Sequence, residues 1–383
     1  MRQFPKNLEY KLTERSQNNS LRQLSYENNL IDFSSNDYLG YAKSEELFDA
    51  THRFLSQNKY KTNGATGSRL LSGNHALYEI TEKYIANFHQ QETALIFNSG
   101  YDANIGFFGS VPQRNDIILY DELCHASIRD GIKMSNAKAY KFNHNDFEHL
   151  EFKIKNLVSE NTNSQIYVVT ESVFSMDGDT PNLEQIAKIS NKYDCNLVVD
   201  EAHSVGVFGD SGQGLIHLQN LQDSIFAQIV TFGKGLGCHG AAILGNRKLQ
   251  NYLINFARSF IYTTGLSPHS VASILLAYQK LNSNKNNLAQ LKANIQTFNQ
   301  TKMQLGLKPL FVYSKSAIQC AIIPGNENIK AIANKLQEKG FDVKPILSPT
   351  VPKGQERLRF CLHSYNNEKE ILEVLSLLSN FVF

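Results

Sequence analysis

The feature that most limits what this chain can fold into is a rhythm. Short, apolar, β-rich runs, each broken off by polar or glycine residues, alternate with stretches of helical periodicity. TALIF stops at Asn98, Ser99 and Gly100, and DIILYDE, QIYVVTES, NLVVDEAHS and SIFAQIVTFGKG repeat the pattern. From Ala76 to Phe88 the residues Leu77, Ile80, Tyr84, Ile85 and Phe88 recur at helical spacing, and Leu183 to Tyr193 reads as a second helix. Strands this short and this continuously apolar, joined by helices, imply βαβ units and a mainly parallel sheet buried on both faces. The fold class is therefore α/β.

The rhythm changes near Asn282 to Asn287. Beyond it the pattern predicts a helix, a strand at Ile318 to Ile323, and a helix at Ile329 to Lys339 stopped by Gly340. A strand or loop follows through LSPTVPKGQERLRF, then a last helix with Ile371, Val374, Leu375 and Leu378 on one face. This reads as a smaller α+β domain. At about 150 residues per domain, 383 residues divide into an N-terminal segment (1–40), a large domain (41–285) and a small C-terminal domain (286–383).

Composition narrows the partners. With 38 Lys+Arg against 36 Asp+Glu, the net charge is +2 before histidine, too little for a broad field that draws nucleic acid or anionic lipid. The longest uncharged run, Ser259 to Gln279, carries Thr263, Thr264, Ser267, Pro268 and His269, so it reads as a buried or active-site connection and not as a membrane span. Five scattered cysteines without a CxxC pair, and an N-terminus without an apolar signal core, predict reduced thiols and a cytoplasmic setting.

In open α/β sheets ligands bind beyond the carboxyl ends of the strands. Four such ends are rich in chemistry: Ser99-Gly100-Tyr101, Glu171 with Ser175, Asp200 with His203, and Thr231 to Lys234. Lys234 lies in TFGKGLGCHG, where flanking glycines let a flat ligand approach; it is either an exposed loop cation or a Schiff-base nucleophile. Gly235, Gly237 and Gly240 also spell GxGxxG, but AAILG reads as a strand, where a dinucleotide fingerprint would open a helix. Asp200 is either a helix cap or salt-bridge partner, or the anion that meets a protonated pyridinium; His203 could hydrogen-bond a phenolic oxygen on the same ring. Backbone N–H groups at Ser99 to Tyr101, with hydroxyls from Ser175 and Thr231, would cup a phosphate if a helix begins there. In this chain order the set describes pyridoxal phosphate.

The segments DFSSNDYLG, GATGSRLLSGNHALYEI, DELCHASIRDG, TESVFSMDGD, VVDEAHSVGVFG, TFGKGLG and PTVPKGQERLR resemble the α-oxoamine synthase family of fold-type I pyridoxal-phosphate enzymes, from Asp32 to Arg359. The resemblance implies a mainly parallel seven-stranded sheet in the large domain, a homodimer with shared active sites, and pyridoxal 5'-phosphate as cofactor. It makes Lys234 the Schiff-base lysine, pairs Asp200 with the ring nitrogen and His203 with the ring hydroxyl, and stacks His125 on the ring face. Gly100, Tyr101, Ser175 and Thr231 would hold the cofactor, mostly at its phosphate, with Glu171 near the ring. Thr264 would reach the phosphate of the neighbouring subunit. For substrates it implies Asn36 and Arg359 at the amino-acid carboxylate, His125 against the bound substrate, Arg22 at the acyl substrate and Thr350 as a further contact. The reaction implied is the decarboxylative condensation of L-alanine with a pimeloyl thioester on CoA or acyl carrier protein, in biotin synthesis. Sister reactions use glycine with acetyl-CoA, or serine with a long acyl chain. One departure is His363 in FCLHSYN, where the family usually has a small hydroxyl residue.

Overall fold

A computed structural model describes residues 3–18, 20–22, 24, 29–160 and 164–383 of the chain. Met1, Arg2, Asn19, Gln23, 25–28 and 161–163 lie outside the described residues, so the expected N-terminal segment 1–40 is only partly covered.

In chain order the strands are β1 (Ile31–Asp32), β2 (Thr93–Phe97), β3 (Ile117–Asp121), β4 (Lys138–Phe142), β5 (Ile166–Glu171), β6 (Asn196–Asp200), β7 (Ala227–Thr231), β8 (Ala241–Gly245), β9 (Ile318–Ile322), β10 (Phe341–Asp342), β11 (Lys344–Ile346) and β12 (Arg357–Cys361). Seven of them form one sheet in the order β2-β8-β7-β6-β5-β3-β4, with β8 alone antiparallel to its neighbours. The continuous apolar runs are explained by two packed faces. Along β2, Leu95 and Phe97 enter one core with Val169, Val198 and Ile243, whereas Ala94 and Ile96 enter another with Val230, Ala242 and Leu244. On β5 and β6, Val168, Leu197 and Val199 face a third cluster beneath the helix Leu183–Lys192. Every residue of β2, β5 and β8 is buried, so hydrophobicity cannot alternate along them even though the side chains do, whereas the edge strand β4 is exposed at four of its five residues.

The expected helices at Ala76–Phe88 and in the last segment, Glu368–Val382, are present; the latter opens with a capping box between Asn367 and Glu370. The helix before Gly340 runs Asn326–Glu338, and Gly340 takes φ +94° just beyond it. The uncharged run is broken into two helices, Arg258–Ile261 and Pro268–Ser283, separated by the Thr263-Thr264-Gly265 turn. Among the described residues no helix is long and apolar enough to cross a membrane.

Late in the chain, β11, β12 and β9 form an antiparallel three-stranded sheet flanked by the helices Asn286–Gln304, Asn326–Glu338 and Glu368–Val382. The early segment is threaded into it. β1 pairs in parallel with β10, Cys361 donates its backbone N–H to Phe33 O at 2.8 Å, and Ser364 donates to Tyr38 O at 2.8 Å. This brings SSNDYLG against the end of β12, more than 300 residues away in sequence.

Candidate active site

The carboxyl ends of β5, β6 and β7 converge on one cavity of about 280 Å³. Glu171 and Asp200 are register partners at the ends of β5 and β6, and Thr231 ends β7. Three residues on, Lys234 projects from the turn that reverses the chain into β8, closed by Phe232 N–H to Gly240 O at 2.9 Å and Cys238 N–H to Phe232 O at 2.7 Å. Since β8 follows this turn, the GxGxxG spacing does not open a helix. Gly237, at φ +58°, packs so tightly on the Tyr41–Ala42 backbone that a Cβ would collide with it, and this fixes the lysine turn on the SSNDYLG segment.

Lys234, Glu171, His203 and Asp200 share this cavity. Burial lowers the Lys234 pKa to about 8, against the opposing pull of Asp200 and Glu171, which raise it. Burial, with Asp200 beside it, lifts the Glu171 carboxyl to about 8, although Glu171 Oε1 accepts the His125 backbone N–H at 2.5 Å. His203 is held neutral, first by burial and then by the positive charge of Lys234; its Nε2 lies 2.8 Å from Lys234 Nζ and its Nδ1 2.7 Å from Tyr38 Oη. Asp200 Oδ2 accepts from Asn104 Nδ2 at 3.0 Å, and Oδ1 accepts the Ala202 N–H at 2.9 Å.

The wall opposite is a helix N-terminus. The helix Gly100–Phe108 begins where the sequence places it, capped by Ser99, whose Oγ accepts the Asp102 N–H at 3.0 Å. Ser99, Gly100 and Tyr101 line the cavity with Thr231, and the Tyr101 hydroxyl donates to Asp130 at 3.1 Å. A Cβ on Gly100 would sit 2.6 Å from the Thr231 methyl Cγ2, so glycine is what fits the first helical turn beside Thr231. His125 caps the helix Ala126–Met134, its Nδ1 2.7 Å from Ser127 Oγ, and burial keeps its ring below the ordinary histidine pKa.

Asn36 lines the same cavity, and its Oδ1 accepts from Arg359 Nη2 at 2.9 Å and from Tyr38 Oη at 3.2 Å. Arg359 Nε donates to Ser175 O at 2.8 Å. His363 is fully buried behind this segment, 3.1 Å from both Ser35 Oγ and Ser35 O, and stacked on Tyr365 at 4.6 Å. It serves as a polar wedge holding the Ser35–Asn36 backbone.

The structure thus brings together Lys234, Asp200, His203, His125, Glu171, Gly100, Tyr101, Thr231 and Asn36, with Arg359 hydrogen-bonded behind Asn36. Three expected residues are placed outside this cavity, and Thr264, expected at a neighbouring subunit's phosphate, lies outside its own. Ser175 is not among the residues lining the cavity, and it is its carbonyl that is used, on Arg359. Thr350 is an exposed turn residue with its N–H on Leu347 O at 2.9 Å, and Arg22 is exposed on the N-terminal segment. Thr264 is exposed, its carbonyl accepting from Asn98 Nδ2 at 2.7 Å. Asn104, Ser127, His239 and Tyr38 were not expected. Asn104 was recoverable, since it lies one helical turn past Gly100; Tyr38 and His239 carry no sequence signal beyond their neighbours.

The donor set matches a flat ring bearing a phosphate and an aldehyde. It offers a partly deprotonated amine for the aldehyde, a carboxylate for a ring N–H, a neutral imidazole for a ring oxygen, and helix N–H groups with glycine clearance for a phosphate.

Comparisons with known proteins agree. The family model described as aminotransferase class I and II matches residues 28–376. A Bacillus cereus protein provisionally named as an 8-amino-7-oxononanoate synthase is 39% identical over 338 residues, 88% of this chain and 84% of its own. A Halalkalibacterium halodurans protein with the same provisional name is 37% identical over 376 residues, 95% and 93% of the two chains. Among solved structures, 8-amino-7-oxononanoate synthase from Francisella tularensis aligns with TM-score 0.76 at 30% identity, covering 92% of this chain and 98% of that one. Serine palmitoyltransferase from Sphingomonas wittichii aligns with TM-score 0.85 at 27% identity, covering 92% and 87%. A serine palmitoyltransferase structure holding pyridoxal phosphate aligns equally well, at 26% identity and TM-score 0.85, covering 92% and 87%.

Proposed function

The chain belongs to the α-oxoamine synthases, pyridoxal-phosphate-dependent acyltransferases within the class I and II aminotransferase family, and from that premise we propose that it condenses L-alanine with a pimeloyl thioester to give 8-amino-7-oxononanoate, carbon dioxide and free thiol, a step of biotin synthesis. The substrate pair is supported by the relatives at 37–39% identity that carry that name. The chemistry rests on one observation: Lys234 and Asp200 face one another in a cavity that Asn36, held by Arg359, also enters.

When bound, pyridoxal phosphate supplies an electron-poor ring that can hold the electron pair left on the amino acid's Cα. The residues do the rest. Asp200, fixed by Asn104 and the Ala202 N–H, would pair with the ring nitrogen and keep it protonated. Arg359 and Asn36 grip the alanine carboxylate, a bidentate task suited to a guanidinium. Lys234, whose amine is substantially neutral near pH 8, removes the Cα proton and later returns one. His125, whose ring burial keeps below the ordinary histidine pKa, would lie against the ring and help orient the thioester. Loss of the carboxylate as carbon dioxide, with the thiol leaving from the acyl carbon, balances the condensation. The exposed Thr264 turn completes the phosphate site of a neighbouring copy in a homodimer.

The fold likeness to serine palmitoyltransferase favours a second reading, serine with a long-chain acyl thioester. The deciding experiment supplies the holoenzyme with L-alanine, glycine or L-serine against pimeloyl-CoA, pimeloyl-acyl carrier protein, acetyl-CoA or palmitoyl-CoA, and reads product by mass spectrometry. Fastest turnover is expected with L-alanine and a pimeloyl donor; faster reaction of serine with palmitoyl-CoA, or of glycine with acetyl-CoA, overturns the assignment.

A further inference from the structure

One tyrosine in the site has no part in the reading above, yet it joins the two halves. Tyr38 is fully buried, and its hydroxyl lies 2.7 Å from His203 Nδ1 and 3.2 Å from Asn36 Oδ1. His203 continues to Lys234 Nζ at 2.8 Å, and Asn36 continues to Arg359 Nη2 at 2.9 Å. An unbroken chain of hydrogen bonds therefore runs from the reactive amine to the guanidinium, with Tyr38 at its centre.

The proton inventory along this chain sets its direction. A guanidinium only donates, so the Asn36 atom facing Arg359 is its carbonyl oxygen, which accepts. An ammonium also only donates. While Lys234 is protonated, His203 Nε2 must accept, its proton must sit on Nδ1 and point at the Tyr38 oxygen, and the Tyr38 hydroxyl must donate to Asn36. A deprotonated ring oxygen, which can only accept, reverses this at His203 Nε2: Nε2 must donate, Nδ1 must accept, and the Tyr38 proton must turn from Asn36 to His203. Burial holds Tyr38 protonated and His203 neutral, so each is uncharged in both states; the proton that Nε2 gains comes from the Lys234 ammonium as that amine is consumed, and the one that leaves Nδ1 is released to solvent.

We propose that Tyr38 is a positioning residue whose single hydroxyl proton, alternating between Asn36 Oδ1 and His203 Nδ1, fixes the His203 tautomer and couples the cofactor end of the site to the carboxylate end. This rests on the proposed function in one respect, the use of Asn36 and Arg359 for L-alanine; the tautomer argument needs only the cofactor.

Two measurements test it. Long-range ¹⁵N–¹H spectra of protein labelled with ring-¹⁵N histidine, with His203 assigned through a His203→Gln variant, should show the Nδ1–H form before loading with pyridoxal phosphate and the Nε2–H form afterwards. The same tautomer in both states overturns the proposal, and this measurement needs no Tyr38 variant to fold. Tyr38→Phe holoenzyme, folded and loaded with one cofactor per chain, should bind L-alanine roughly three- to tenfold more weakly when titrated by the visible cofactor band, as expected for one lost neutral hydrogen bond. Parental affinity in that variant overturns the coupling. If the parent itself binds no L-alanine, the proposed substrate fails while the tautomer result still stands or falls separately.

Discussion

At the scale of single residues, the site is a contest between burial and charge around Lys234. Burial drives its pKa down to about 8, and Asp200 and Glu171 limit the drop. An amine must be neutral to attack an aldehyde, so cofactor loading onto the cofactor-free protein should accelerate as pH rises through about 8. In Asp200→Asn the opposing charge is gone, so that midpoint should move to lower pH; stopped-flow loading across pH 6–10 checks both, and an unmoved midpoint would remove Asp200 from the balance. The same variant should lose about a hundredfold or more in turnover while still retaining cofactor, because the ring nitrogen loses its anion. Lys234→Ala should abolish turnover, and borohydride reduction followed by peptide mapping should tag Lys234 in the parent; a tag on another lysine excludes it. These residues were legible in the sequence because each interrupts an apolar run at a strand end, a position where a buried charge demands a partner. Tyr38 was not, since its histidine partner lies 165 residues away and a tyrosine beside Leu39 reads as ordinary core.

At the scale of elements, the loop after β5 ties the large sheet to the three-stranded one. Ser314 and Ser316 hydroxyls donate to Gly178 O at 2.7 and 2.8 Å, Arg357 pairs with Asp177, and Arg359 is held by Ser175 O. On the other side His144 bridges Asp121 at 2.9 Å and Asp179 at 2.8 Å. Burial alone would lower its pKa, but the two carboxylates override this and push it up to about 10. A raised folded-state value means that the stabilisation is complete below the unfolded pKa of about 6.5 and fades as pH climbs through about 10. His144→Ala should therefore cost roughly 1–3 kcal/mol at pH 6.5, and the gap from the parent should narrow at pH 10; denaturant unfolding at the two pH values reads it, and a constant gap would mean that packing on Phe174, not charge, is what is lost. Periodicity located the helices here to within a few residues, because packing on one face repeats every turn. The pairing of β1 with β10 had no such signal: two residues are too short to show a period, and the partner is about 310 positions distant.

At the scale of the whole molecule, the +2 balance leaves anion recognition to local groups, and one of those expected groups, Thr264, is turned outward from its own cavity. Exposed apolar side chains lie nearby in the chain at Tyr262 and, on the Ser68–Ile80 segment, at Leu70, Leu71 and Ile80. Gly265 N–H bonds to Gly67 O at 2.9 Å, which joins these two exposed segments into one surface. If that surface meets a second copy, each site is built from two chains, and the consequence can be measured without a structure of the assembly. Lys234→Ala lacks the amine of its own site, and Thr264→Glu sets a negative charge against the phosphate of the neighbour's. Each variant alone should be nearly inactive. Mixed by unfolding and refolding together, half the dimers become hybrids, and each hybrid has one site with an intact lysine facing an intact threonine. Activity should therefore recover to about a quarter of the parental value. Were Thr264 to serve its own chain, every site in the mixture would keep one defect and mixing would restore nothing, so recovery separates a shared site from a self-contained one.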